Sequence, residues 1–73
     1  MVMNREGIGN LAVFVWWMLK LKGKLSFDAL QRETTLSSVS VATAIGWLAR
    51  EDKIQFEKLN GTTYYYVYHK RYY

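Results

Sequence analysis

The chain has 73 residues, no cysteine, no proline and a formal net charge of +4. This length allows at most one domain. Disulfides and thiolate metal sites are excluded, and the single histidine, His69, cannot build a zinc centre alone. With 51% hydrophobic and 16% aromatic residues, oligomerisation is the expected source of further stability.

The first half of the chain predicts two helices. A first helix is expected over residues 5–22, with Asn4 as N-cap and Gly23 in the left-handed position after its last turn. Ser26 is a suitable N-cap for a short second helix over residues 27–34, and Asp28 complements the dipole in its first turn.

The second half predicts a third helix followed by a hairpin. Ser37 can cap a helix over residues 38–50, in which apolar residues recur at the spacing of a buried face. A strand is expected over residues 54–59, because residues 54–58 alternate apolar and polar side chains. Asn60-Gly61 then favours a type I′ turn. Residues 62–68 are β-branched and aromatic and predict the return strand.

The predicted pairing of this hairpin assigns its two faces. A two-residue turn sets Leu59 opposite Thr62 and fixes every other pair. One face, expected to join the core, carries Ile54, Phe56, Tyr65 and Val67. The other carries Tyr64, Tyr66 and Tyr68 with Gln55 and Glu57.

Together the elements predict an α+β fold of the winged helix-turn-helix type. Three helices precede a β-hairpin wing, and a short third strand near Leu25 could join the sheet. We expect the whole chain, residues 1–73, to form this single domain.

A continuous stretch at the end of the third helix carries a family resemblance. Residues 44–57 contain the letters GWLARE followed by KI and FE. Together with Ile8-Gly9 and Leu25-Ser26, this stretch resembles an uncharacterised prokaryotic family of small winged helix-turn-helix proteins, over roughly residues 7–68. The resemblance implies the fold and a tendency to form homodimers, and it implies no ligand.

The first helix is apolar on all sides. Such a helix is normally buried on all sides, and a domain of this size can cover only one of them. We therefore expect a dimer interface formed by Val13, Phe14, Trp17 and Leu21. The alternative is that the C-terminal residues Tyr72-Tyr73 cover this surface.

The third helix and the wing carry the candidate DNA contacts. The helix is expected to turn outward Val39, Ser40, Thr43, Gly46, Trp47 and Arg50. Its candidate DNA contacts are Ser38, Ser40, Thr43 and Arg50, and only Arg50 has a long hydrogen-bonding side chain suited to reading bases. Lys53 and Lys58 of the wing, with Lys70 and Arg71 of the tail, could contact phosphates. Trp47 is expected to pack at the junction of helix and wing.

Two functions remain open at this stage, and neither is enzymatic. No arrangement of nucleophile and base and no phosphate-binding glycine loop is present in the sequence, and we expect no cofactor or metal. The first function is a homodimeric DNA-associated protein that binds mainly through phosphates. The alternative is a protein–protein interaction module that does not bind DNA.

The partner in that alternative would bind the third helix or a ladder of Tyr64, Tyr66 and Tyr68. The ladder could equally stack on bases or be an ordinary solvated sheet face stabilised by cross-strand aromatic pairs. The longest apolar run, residues 11–19, is shorter than the roughly 20 residues of a membrane span. We expect a cytoplasmic protein without a membrane partner.

Overall fold

The fold combines three helices with a three-stranded antiparallel sheet, as the sequence predicts. The computed structural model describes residues 5–67, without the side chains of residues 5, 6 and 8. Its elements in chain order are α1 (Arg5–Lys22), β1 (Leu25–Ser26), α2 (Phe27–Thr34), α3 (Ser38–Arg50), β2 (Ile54–Leu59) and β3 (Thr62–Val67).

Short-range hydrogen bonds determine where the first two helices begin and end. The α1 helix ends at Lys22. The next residue, Gly23, has a φ of 92° and donates its N–H to the carbonyl of Leu19 at 2.7 Å. The Ser26 hydroxyl accepts the N–H of Ala29 at 3.2 Å and caps α2. The α2 helix closes at Thr35 in the left-handed conformation, with a φ of 59°.

The sheet has the strand order β1-β3-β2, so the return strand of the hairpin lies in the centre. Ile54 pairs with Val67 and Leu59 with Thr62, which is the predicted register. Asn60 and Gly61 both have positive φ, 51° and 82°, as a type I′ turn requires. The third strand expected near Leu25 is present as β1, and it pairs with β3.

The core lies between the helices and the base of the hairpin. All three helices contribute to it, and the hairpin adds one residue from each strand. The buried apolar residues are Ala12, Val15, Leu19, Leu30, Val41, Ala44, Leu48, Ile54 and Val67. Each helix therefore buries one side in a shared cluster and turns the opposite side outward.

The assignment of Phe56 to the core is wrong. Phe56 is on the predicted sheet face and pairs with Tyr65, but it is 63% exposed. Ile54 and Val67 lie at the base of the hairpin and are buried, whereas Phe56 lies nearer the turn on the outer strand β2. Alternation along a strand gives the face of a residue but not how far the helices cover that face.

None of the helices within residues 5–67 combines the length and the apolar character that a bilayer crossing requires.

Candidate functional site

The outward face of α3 is open and carries few polar groups. Ser37 caps this helix by accepting the N–H of Ser40 at 3.2 Å, and Val41, Ala44 and Leu48 turn its other side into the core. The exposed positions are consequently occupied by short side chains, with one long cation at the C-terminal end: Ser38, Val39, Ala42, Gly46, Ala49 and Arg50.

Ser40 does not belong to this face, so its prediction as an outward DNA contact is wrong. It is only 6% exposed, and its hydroxyl accepts a hydrogen bond from the Ser37 hydroxyl at 3.1 Å. Ser40 stands one helical turn before Ala44, and Ala44 one turn before Leu48, so it continues their buried line. That spacing was the signal in the sequence that would have placed it correctly.

The hydroxyl of Thr43 is already engaged. It donates to the carbonyl of Val39 at 2.7 Å, within the helix. Thr43 is half-buried, and with its hydroxyl directed at the backbone its methyl group is the part left for an outside contact. Of the predicted α3 contacts, Ser38 and Arg50 are exposed with polar groups available.

The two predicted wing cations within the described residues are exposed. Lys53 immediately precedes β2, and Lys58 lies near the turn. The single ion pair found among the described side chains joins Lys24 to Glu57, so Arg50, Lys53 and Lys58 have no carboxylate partner among them. These cations lie at the end of α3 and at the two ends of β2, with exposed Glu51 and Asp52 between Arg50 and Lys53. The predicted contacts Lys70 and Arg71 lie outside the described residues.

The outward side of α1 forms an apolar patch, defined as Val13, Phe14, Trp17 and Leu21. The exposed fraction of these side chains ranges from 42% to 76%. They lie opposite Ala12, Val15 and Leu19, which face the core. The predicted separation of α1 into a core side and an outward apolar side is therefore present. Tyr72-Tyr73, the alternative cover, lie outside the described residues.

A groove beside this patch contains every tryptophan of the chain. Trp16 and Trp17 of α1 and Trp47 of α3 line it, and the chain has three tryptophans. Its volume is about 340 Å³. Trp47 is half-buried and packs on the core, in keeping with the packing role expected of it. Val13 and Trp17 belong to both groove and patch, so the two form one continuous apolar surface.

The tyrosine face of the sheet is partly covered. Tyr64 and Tyr66 are half-buried, and the ammonium of Lys24 lies 5.2 Å from the centre of the Tyr66 ring. Lys24 also forms its ion pair with Glu57, so one face of Tyr66 is occupied within the chain. This contact could not be predicted, because it depends on the pairing of β1 with β3. Tyr68 lies outside the described residues.

No metal-binding cluster occurs in the described part of the chain, where no three or more His, Asp or Glu side chains come together. Asp28 and Glu33 lie exposed on α2, whereas Glu51 and Asp52 follow α3.

The element order, the capped α2–α3 pair and the Asn60-Gly61 wing define a winged helix-turn-helix. The family model "Winged helix-turn-helix domain (DUF2582)" matches residues 3–67. The chain belongs to this family. The resemblance noted from the sequence is therefore confirmed at the level of the family. The fold likeness extends to solved structures.

Three solved structures are similar to this DUF2582 chain. Protein BT2368 from Bacteroides thetaiotaomicron is 32% identical, with a TM-score of 0.76 over 90% of this chain and 94% of that one. HlyU from Vibrio cholerae is 25% identical, with a TM-score of 0.61 over 88% of this chain and 63% of HlyU.

The third structure is of HOP2, which is 21% identical with a TM-score of 0.65, over 78% of this chain and 97% of that one. It is described as showing the DNA recognition and protein interaction domains of HOP2 and their homologous DNA pairing properties. At this identity the likeness shows the fold alone. No curated protein matches the chain.

Proposed function

We propose that this winged-helix protein associates with double-stranded DNA as a homodimer and binds mainly through phosphate contacts. The observation that carries the proposal is a set of three exposed cations without an ion-pair partner among the described side chains, at the end of α3 and on the wing. Arg50 ends the helix, Lys53 begins the wing and Lys58 lies near its turn. Ser38, at the other end of α3, adds a small hydroxyl that can reach a phosphate.

Phosphate contacts account for the scarcity of base-reading groups. Direct readout relies on long side chains with several donors or acceptors, and among the exposed residues of α3 only Arg50 has one. Phosphate contacts fix the position and orientation of a protein on the duplex and carry no sequence information. Binding of this kind is steeply dependent on salt. Lys70 and Arg71 of the tail would add further phosphate contacts.

The homodimer is supported by the apolar patch on α1. An exposed surface of Val13, Phe14, Trp17 and Leu21, continuous with the tryptophan groove, is unusual for a monomer. The groove beside the patch reaches α3 only at Trp47 and Leu48, so Ser38, Val39 and Ala42 in the first half of α3 lie outside it. A dimer formed through α1 would leave that half of α3 accessible to DNA.

The alternative is a protein-interaction module without DNA binding, and one observation favours it. The open face of α3 is mostly short and uncharged, with Val39 66% exposed, which suits contact with an apolar partner. The Tyr64 and Tyr66 face is the weaker surface for such a partner, because Lys24 already covers the Tyr66 ring.

The deciding experiment is a titration with mixed-sequence duplex, followed by fluorescence anisotropy at two salt concentrations. If six to ten phosphates are contacted, we expect the affinity to fall about 10³-fold to 10⁵-fold between roughly 50 mM and 200 mM salt. Lys53→Ala and Lys58→Ala should each reduce the magnitude of the salt slope by about two per dimer, because each variant removes one phosphate contact from each protomer. The matched control is Lys22→Ala, at the end of α1.

Absence of binding at the lower salt concentration would reject DNA association and favour the protein-interaction module. The homodimer is tested separately, by sedimentation velocity of the free protein. A monomer at high micromolar concentration would reject it.

A further inference from the structure

The open face of α3 presents methyl groups where a DNA reader usually presents donors. Val39 and Ala42 are exposed, and Thr43 directs its hydroxyl to the carbonyl of Val39. Ser40 is buried with its hydroxyl bonded to Ser37. The central part of the face therefore offers methyl groups to whatever it contacts, and its hydrogen-bonding side chains, Ser38 and Arg50, lie at its two ends.

The N-terminal end of this face suits a polyanion. The N-terminus of α3 carries no acidic residue in its first turn, so its positive dipole end is not neutralised by its own side chains. At the other end, Arg50 is followed by exposed Glu51, Asp52 and Lys53, so that the four charges balance, and Arg50 contributes there as a hydrogen-bond donor. The chain as a whole has a formal net charge of +4, which favours a duplex over an uncharged apolar partner.

The backbone of α3 can also approach a surface closely. At Gly46 a Cβ would meet no atom within 4 Å, so the helix is open on that side. Ala42 stands one turn before it and adds only a methyl group. Short side chains bring the helix nearer to a groove floor than long ones would.

The major groove contains one base with a matching chemistry. Guanine, cytosine and adenine present hydrogen-bond donors and acceptors there, whereas thymine adds a methyl group that apolar side chains contact. We propose that Val39, Ala42 and Thr43 contact thymine methyl groups, so that this protein prefers A·T-rich duplexes. The inference rests on the DNA association proposed above, and it assigns a base preference to the same site.

The test removes the methyl group and keeps the base pairing. Anisotropy titrations compare an A·T-rich duplex containing thymidine with the same duplex containing deoxyuridine, at one salt concentration. We expect binding to the deoxyuridine duplex to be about fourfold weaker for each methyl group withdrawn from contact. A second comparison uses a G·C-rich duplex that contains either cytosine or 5-methylcytosine. The 5-methylcytosine places a methyl group in the major groove, and we expect the protein to bind this duplex more tightly.

Two variants locate the contact on α3. Val39→Ala shortens the exposed side chain, and Thr43→Ser deletes the methyl group but keeps the hydroxyl that bonds to the carbonyl of Val39. Both should bring the thymidine and deoxyuridine affinities closer together. Leu59→Ala is the control, because Leu59 is also an exposed aliphatic residue and lies at the wing turn. It should leave the ratio of the two affinities unchanged.

The outcomes separate this inference from the function on which it rests. Equal affinity for the thymidine and deoxyuridine duplexes would overturn the methyl contact while leaving DNA association intact. A ratio that Val39→Ala and Thr43→Ser do not change would also overturn it, since the preference would then arise elsewhere. Failure to bind any of the four duplexes at low salt would overturn both the inference and the DNA association.

Discussion

Lys24 reaches across the central strand β3 and forms an ion pair with Glu57 on the far strand. Its ammonium also lies over the ring of Tyr66, which belongs to the central strand β3. One side chain thus joins all three strands, although β1 contributes only Leu25 and Ser26 to the pairing. The contact adds to the strand pairing and to the packing of Leu25 on the core, which hold this short strand at the edge of the sheet.

Substitution of Lys24 should lower the free energy of unfolding more than substitution of Glu57. Glu57→Gln should lower the free energy of unfolding by no more than about 0.5 kcal/mol, because both side chains are 39–43% exposed and water screens the pair. Lys24→Ala should lower it by about 1 kcal/mol, since it also removes the cation from the Tyr66 ring. Urea denaturation of both variants checks this, and equal losses of stability would show that the ring contact contributes nothing.

The Ser37 and Ser40 hydroxyls should contribute as a coupled pair. Ser37→Ala removes the N-cap of α3 and leaves the buried Ser40 hydroxyl without its donor, so we expect a loss of about 1–2 kcal/mol. Ser40→Ala removes the hydrogen bond between the two hydroxyls. In a protein that already carries Ser40→Ala, Ser37→Ala should therefore lower the free energy of unfolding by less. The four proteins of this double-mutant cycle are compared by urea denaturation. Strict additivity would contradict the coupling.

The helices could be predicted from the sequence because their signals are local. Ser26 and Ser37 are caps, Gly23 takes the left-handed position, and the apolar spacing of α3 defines its buried face. The hairpin register followed from Asn60-Gly61 alone. In each case a few neighbouring residues determine the geometry.

The errors concern residues whose burial depends on distant parts of the chain. Phe56 shares a face with Ile54, but it extends beyond the cover of the helices. Ser40 is polar, yet the packing of α3 buries it and Ser37 satisfies its hydroxyl. The contact of Lys24 with Tyr66 depends on strand pairing between β1 and β3, which are distant in the chain.

The apolar patch predicts which substitution dissociates a dimer. Trp17→Glu places a charge in the centre of the proposed interface, and Phe14→Asp should act in the same way. We expect the sedimentation coefficient of both variants to fall to that of a monomer, with unchanged helix content by circular dichroism. Leu59→Glu is the control, because Leu59 is as exposed as Trp17, at 49% against 50%, and lies on the wing.

An unchanged sedimentation coefficient for Trp17→Glu and Phe14→Asp, in a protein that remains dimeric, would place the interface elsewhere. Dissociation by Leu59→Glu alone would assign it to the wing.

The same substitution should have opposite effects at two glycines. Gly61 has a φ of 82° in the wing turn, where an alanine side chain is strained, so Gly61→Ala should lower the free energy of unfolding by about 1–2 kcal/mol. Gly46 lies inside α3, and a Cβ there meets nothing within 4 Å. Gly46→Ala should therefore raise the free energy of unfolding by about 0.5–1 kcal/mol.

For a domain of this size each kcal/mol corresponds to a change of about 4–8 °C in Tm, which calorimetry at one protein concentration resolves. A lower Tm for Gly46→Ala would mean that another surface already covers the open face of α3, because an added methyl group is otherwise free of contacts. That result would require a partner, such as a second copy of the chain, to be seated on α3 and not on the α1 patch. The glycine pair thus tests both the wing turn and the exposure of the face proposed to meet DNA.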